Sequence, residues 1–210
     1  MNKNNGDEQK AHLIMKLRGL GIRSSKVLSA IESVPRDIFI ENALKNHAWE
    51  NVTLPIGGGQ TISQPYIVGL MTSLLGLSGK EIVLEIGTGS GYQASILSLL
   101  CRRVYTIERI ETLHHFSNQK FKELSLSNIT AKHENGSNGW PEASPFDRII
   151  LTCAIKEIPK QLFLQLKVGG ILIGPEILDN KDQVLNMYTH IEKNKFEKKS
   201  VEDVKFVPML

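Results

Sequence analysis

Between residues 8 and 32 apolar side chains recur at helical spacing: Leu13, Ile14, Leu17 and Leu20, then Val27, Leu28 and Ile31. Gly19 and Gly21 break the pattern, so it predicts two helices. Val34-Pro35-Arg36 stops the second, because a residue preceding proline is pushed out of helical geometry. A third short helix is expected over Arg36 to Lys45. The stretch Leu54 to Pro65 holds two prolines and the run Gly57-Gly58-Gly59, which argues against a regular element and for a loop of specific backbone geometry. Pro65 suits the first turn of a helix over Tyr66 to Leu77, with Ile67, Leu70, Met71, Leu74 and Leu75 on its apolar face.

From residue 80 short apolar runs alternate with helical segments. The runs are Ile82 to Ile86, Arg103 to Ile107, Ile129 to Lys132, Phe146 to Thr152 and Gly170 to Gly174; the helices are expected at 91–100, 111–124 and 159–166. Such alternation predicts an α/β fold, a doubly wound and mostly parallel sheet with helices on both faces. Gln183 to Ile191 and Val201 to Pro208 flank a polar stretch, 192–200, and are expected to form a C-terminal antiparallel hairpin at the sheet edge. The expected organisation is a flexible tail over 1–8 and a single domain over 9–210. Within that domain, 9–52 is a helical N-terminal appendage, 53–79 a loop and helix, and 80–210 the α/β core.

Composition narrows the class. Of 210 residues, 41% are hydrophobic and 22% charged, enough for one core without covalent staples. Cys101 and Cys153 lie in apolar surroundings without metal-ligand spacing, so two buried thiols in a reducing compartment are expected, and no metal. No apolar run approaches the roughly 20 residues that span a bilayer, and Met1 to Lys10 has no apolar signal core. A cytoplasmic monomer is expected, with no membrane partner. A net charge of +3 gives no reason to invoke nucleic acid. The basic run Lys193 to Lys199 is broken by Asn194, Phe196 and Glu197 and is expected to be the hairpin turn. The six histidines offer no nucleophile or metal pattern: His114 and His115 are helical neighbours facing different ways, and the others are isolated.

The chemistry begins at Val83-Leu84-Glu85-Ile86-Gly87-Thr88-Gly89-Ser90-Gly91-Tyr92, an apolar strand, a glycine turn and a helix start. This is the setting in which a nucleoside-type cofactor sits. The spacing is G-x-G-x-G, a poor match to the G-x-G-x-x-G that seats a pyrophosphate, and no G-K-[ST] follows, which excludes a P-loop. Glu108 ends the next strand about 20 residues on, where an acidic side chain accepts hydrogen bonds from ribose hydroxyls. Two carboxylates, Glu85 and Glu108, would repel a phosphorylated ligand and suit an uncharged ribose with a cationic group. S-adenosyl-L-methionine has both features, so it is favoured over NAD.

With these motifs the chain resembles the protein-L-isoaspartate (D-aspartate) O-methyltransferases, class I S-adenosylmethionine enzymes with a Rossmann-like fold. The resemblance rests on Val34-Pro35-Arg36 with Phe39, Leu54-Pro55-Ile56-Gly57, Gly59 to Pro65, Leu84 to Ala94, Ile107-Glu108-Arg109, Gly139-Trp140-Pro141, Phe146-Asp147 and Phe206-Val207-Pro208. The loop Gln60-Thr61-Ile62-Ser63-Gln64-Pro65 is its most family-specific part. The resemblance implies methyl esterification of the free α-carboxylate of L-isoaspartyl and D-aspartyl residues in damaged proteins, the step that initiates repair. It further implies Ser63 as the active-site residue and Thr61, Ile62 and Gln64 beside it. Glu85, Gly87, Gly89 and Ser90 would contact the methionine part of the cofactor, Glu108 would hold the ribose, Asn135 and Gly136 would border the adenine, and Thr88 and Arg109 would also bind the cofactor.

The chain departs from the family pattern at four places. Trp49-Glu50-Asn51 stands for a usual Tyr-x-Asp, Gly58 for a histidine, Asn135 for an aspartate, and Gly174-Pro175-Glu176 for Pro-Val-Gly. Three rival readings stand: a carboxyl methyltransferase with another substrate, motivated by the departures at 49–58 and 174–176; a cofactor-binding protein with little turnover, supported only by Asn135 in place of the carboxylate; and an NAD-dependent reductase, against which the glycine spacing counts.

Overall fold

The computed structural model describes residues 3–209. Helices α1 (Lys3–Gly19) and α2 (Ser25–Ser33) come first, followed by two 3-10 turns, Arg36–Phe39 and Asn42–His47. Next come strands β1 (Leu54–Gly57) and β2 (Gln60–Ile62) and helix α3 (Pro65–Leu74). The core runs β3 (Ile82–Ile86), α4 (Tyr92–Ser98), β4 (Arg103–Glu108), α5 (Glu111–Glu123), β5 (Ile129–His133), β6 (Phe146–Leu151), α6 (Lys160–Leu164), β7 (Leu166–Ile177), β8 (Gln183–Glu192) and β9 (Lys195–Asp203).

Seven strands form one sheet in the order β5-β4-β3-β6-β7-β8-β9. The pairs from β5 through β7 are parallel; β7–β8 and β8–β9 are antiparallel. Chain order reverses at β3, which has β4 on one side and β6 on the other. The crevice at the carboxyl ends of these strands is therefore where this architecture receives a ligand.

Period-two alternation divides the core between the faces of the sheet. Val83, Val104, Ile150 and Ile173 pack with α3 and α4 through Ile67, Met71, Leu75, Ala94 and Leu97. Leu84, Ile86, Ile149, Leu151 and Leu172 pack on the other face with Leu162 of α6. Each such side chain contributes about 1.5–3 kcal/mol by leaving water. The N-terminal helices add Leu13, Leu17, Leu28, Ile31 and Phe39, and meet Tyr92 and Ile96 of α4. The appendage is thus docked on the helix that follows the glycine turn.

Four expectations are corrected. The segment expected as a tail, 1–8, is helical from Lys3, and Met1 and Asn2 lie outside the described residues. The third helix is two 3-10 turns. The stretch 54–65 contains a paired hairpin, β1–β2. Its three glycines form the turn at φ of 87°, 59° and 71°, left-handed angles that leave the flanking residues free to pair. The polar stretch 192–200 is mostly strand: β9 begins at Lys195, and its charged residues sit on a solvated sheet edge. Among the described residues no helix is long and apolar enough to cross a membrane.

Candidate active site

The glycine turn is clipped to the neighbouring strand. The backbone N–H groups of Gly87 and Thr88 donate to the Ile107 carbonyl at 2.9 and 3.2 Å. Thr152, just past β6, donates its backbone N–H to the Ile86 carbonyl at 3.0 Å, and its hydroxyl reaches the Gly87 carbonyl. Gly87 has φ of 95°, and a Cβ there would stand 2.5 Å from Thr152 Oγ1. Both the angle and the space demand glycine.

Glu108 is held from two sides. One carboxylate oxygen accepts the Gly89 N–H at 2.7 Å and the other the Ile110 N–H at 2.8 Å. The side chain is fixed before any ligand arrives, and a carboxylate oxygen has lone pairs to spare for ribose hydroxyls.

A single cleft brings together Gln60 to Ser63 of the hairpin and Ile67, Val68 and Met71 of α3. Its other walls are Ile86 to Ser90, Ile107 to Ile110, Asn135 and Gly136, Thr152 and Cys153, and Phe206 to Met209. The walls are apolar at Ile62, Ile86, Ile107 and Ile110. Arg109 is the one basic side chain among these lining residues, so a phosphorylated ligand would find little to bind. A second cleft adjoins the first and shares Thr61, Ser63, Ile67, Thr152, Phe206 and Val207 with it. Ser63 stands where the two meet.

Of the residues singled out in the sequence, Ser63, Thr61, Ile62, Gly87, Thr88, Gly89, Ser90, Glu108, Arg109, Asn135 and Gly136 line the first cleft. Gln64 lines only the second. Glu85 lines neither. It is fully buried, and accepts a 2.5 Å hydrogen bond from Thr106, whose hydroxyl is in turn 2.6 Å from that of Thr88. Strand alternation explains this: Glu85 points to the same face of β3 as Val83, while Ile86 faces the cleft. Its other oxygen, Oε1, is buried without a partner. Burial pushes its carboxyl up to about 8, against the pull of Thr106 and with a push from Glu108.

Sequence reasoning missed several lining residues. Ile110 follows the acidic strand end, but no motif marks it. Cys153 was expected to be simply buried; it is half-buried and borders the cleft. Burial, then Glu108 and Glu85, push its thiol up to about 12, so it is no nucleophile at neutral pH. The C-terminal Phe206 to Met209 returns to the site by a parallel bridge between Ala154 and Pro208. His133 is not isolated; it stacks on His114 at 5.7 Å.

A family model described as protein-L-isoaspartate(D-aspartate) O-methyltransferase (PCMT) matches residues 8–210. The chain belongs to this family. A protein-L-isoaspartate O-methyltransferase of Parvibaculum lavamentivorans is 53% identical over 81% of this chain and 77% of its own. One from Photobacterium profundum is 46% identical over 97% of this chain and 96% of its own. The solved Plasmodium falciparum beta-aspartate methyltransferase, a complex with S-adenosyl-L-homocysteine, superimposes with a TM-score of 0.83 at 26% identity. That match covers 96% of this chain and 98% of the other.

The departures from the methyltransferase pattern have local explanations. Asn51 Oδ1 accepts the Tyr66 N–H at 2.8 Å, capping α3, which an amide oxygen does as a carboxylate would. Asn135 Oδ1 accepts the Ser137 N–H at 2.9 Å and caps the turn that borders the cleft. Glu176 lies outside both clefts and is bound by Asn186, by Tyr188 at 2.8 Å and by Lys198 at 2.6 Å, so it belongs to the packing of β7–β9. Gly58 has φ of 59°, a left-handed angle that favours glycine, although a Cβ there would meet Ile110 only at an ordinary 3.4 Å.

Proposed function

We propose that the joined clefts perform the family's reaction on this chain: methyl transfer from S-adenosyl-L-methionine to the free α-carboxylate of an L-isoaspartyl residue in a damaged protein. The observation that carries the reading is the position of Ser63. With Thr61 it is one of two residues of the family's substrate loop at the junction between the cleft containing Glu108 and the open second cleft, and its hydroxyl is the group the family resemblance assigns to the substrate.

The cofactor fits the residues present: a carboxylate pre-held for hydroxyl donors, apolar walls and a scarcity of basic groups. When bound, it supplies a methyl group on a sulfonium centre. Glu108 accepts from the ribose hydroxyls. The turn from Gly87 to Ser90 receives the methionine part, with Thr88 linked through Thr106 to Glu85. Glu85 acts on the cofactor through that chain of hydroxyls, not by direct contact. Asn135 and Gly136 border the adenine, and Arg109 stands at the rim.

The substrate carboxylate is ionised at neutral pH and needs no base. Catalysis is then placement against the methyl carbon, a source worth up to about 7–11 kcal/mol in favourable cases. Ser63 donates a hydrogen bond to one carboxylate oxygen and leaves the other free to attack. Ile62, Ile67, Phe206 and Val207 exclude water. The peptide lies along the second cleft, past Gln64 and Glu202 to Phe206. A single chain suffices for this reaction, since one chain supplies all of these walls.

The decisive assay uses paired peptides that differ only in isoaspartyl against aspartyl linkage, with labelled S-adenosyl-L-methionine. Label in the isoaspartyl peptide alone is expected. Equal label in both, or label only in small carboxylic acids, overturns the substrate assignment.

A further inference from the structure

The Arg36 side chain is fully buried, yet no carboxylate pairs with it among the described residues. Its guanidinium donates instead to three backbone carbonyls: Nη1 to Ala48 at 2.7 Å, and Nη2 to Val52 at 2.9 Å and to Ser63 at 3.2 Å. Val52 lies just before β1 and Ser63 just after β2, so one nitrogen clamps both feet of the hairpin. The group also lies over the ring of Tyr92, 5.8 Å from its centre, and Tyr92 opens the helix after the glycine turn. Burial without an opposite charge is costly for a guanidinium and depresses its pKa. Its retention here is explained by geometry, because a planar fork reaches several carbonyls at fixed angles and an ammonium does not.

We propose that Arg36 is the positioning residue that sets where Ser63 stands in the cleft. It touches neither substrate nor cofactor and acts through the Ser63 backbone. This inference rests on the role given to Ser63 above.

The test compares wild type, Arg36→Lys, Ser63→Ala and the double variant on an isoaspartyl peptide. S-adenosyl-L-homocysteine affinity is measured by calorimetry on each. Arg36→Lys keeps the charge and loses the fork. It should lower kcat/KM for the peptide by about tenfold or more, while cofactor affinity changes by less than about threefold. In the Ser63→Ala background the same change should cost less than about threefold, because the two act as one unit. Arg36→Gln, a neutral donor, should show the same pattern. An equal loss in both backgrounds, or a lower melting temperature with unchanged peptide kinetics, overturns the proposal and leaves Arg36 a structural residue. So does failure of both Arg36 variants to fold, since a loop clamp leaves the parallel sheet standing. Full activity of Ser63→Ala would instead remove the role of Ser63 itself.

Discussion

The carboxylate of Glu108 accepts the backbone N–H of Gly89 at 2.7 Å, so the acid that ends β4 and the turn that follows β3 hold each other in place. The interaction closes the cofactor side of the cleft without help from a ligand. It also means that a change at Glu108 disturbs both the proposed hydroxyl acceptor and the turn.

Glu108→Ala should therefore weaken S-adenosyl-L-homocysteine binding. Loss of charged hydrogen bonds costs about 1.5–3 kcal/mol, which is roughly ten- to hundredfold in Kd. Calorimetry reads it directly, and an unchanged Kd would remove Glu108 from the ribose site.

Ser63→Ala should lower peptide turnover and leave cofactor affinity within about twofold, because the role proposed for the hydroxyl is to hold the substrate carboxylate. Steady-state kinetics beside a binding titration separates the two effects. A variant impaired only in cofactor binding would contradict the assigned role.

Gly87 and Gly79 have similar angles, 95° and 99°, but different surroundings. A Cβ at Gly87 would meet Thr152 Oγ1 at 2.5 Å, whereas nothing lies within 4 Å of one at Gly79. Gly79→Ala should cost about 1–2 kcal/mol of backbone strain. Gly87→Ala should cost about 2–4 kcal/mol by adding overpacking. Urea unfolding of the two variants tests the difference; equal midpoints would show that Thr152 yields freely.

Glu85 introduces a pH dependence. Its folded value is raised from 4.5 to about 8, first by burial, so folding favours the neutral acid. The stability it supplies is full below about pH 4.5 and is lost as pH rises toward 8, by a few kcal/mol in all. Glu85→Gln keeps an acceptor for Thr106 and does not titrate. Melting temperatures of the two proteins across this range should diverge in favour of glutamine as pH rises, and parallel curves would show that the carboxyl is not perturbed.

Much of the site was legible from the residues. The apolar runs, the helical spacings and the glycine turn of the core are local signals, and from β3 to α6 each found its element to within a few residues. Glu108 was identifiable because its distance from the glycines follows from one helix and one strand. Ser63 came from the resemblance to the family, since a serine in a glycine-rich loop carries no physical signature of its own.

Tertiary structure decided the rest. The alternation of β3 was visible in the sequence, but which face the cleft would occupy was not, and that fact turned Glu85 inward, away from any ligand. The hairpin at 54–62 was hidden because its pairing is between residues that look like loop, and its base is clamped by Arg36 from outside the segment. The return of Phe206 to Met209 to the cleft depends on a bridge to Ala154 across more than fifty residues of chain. The sequence alone determined the fold class, the elements of the parallel core and the kind of ligand, because those follow from periodicity and residue chemistry along a short stretch. Only the folded chain decided which polar groups face the cleft and which hold its walls, because burial and hydrogen-bond partners are properties of neighbours distant in sequence.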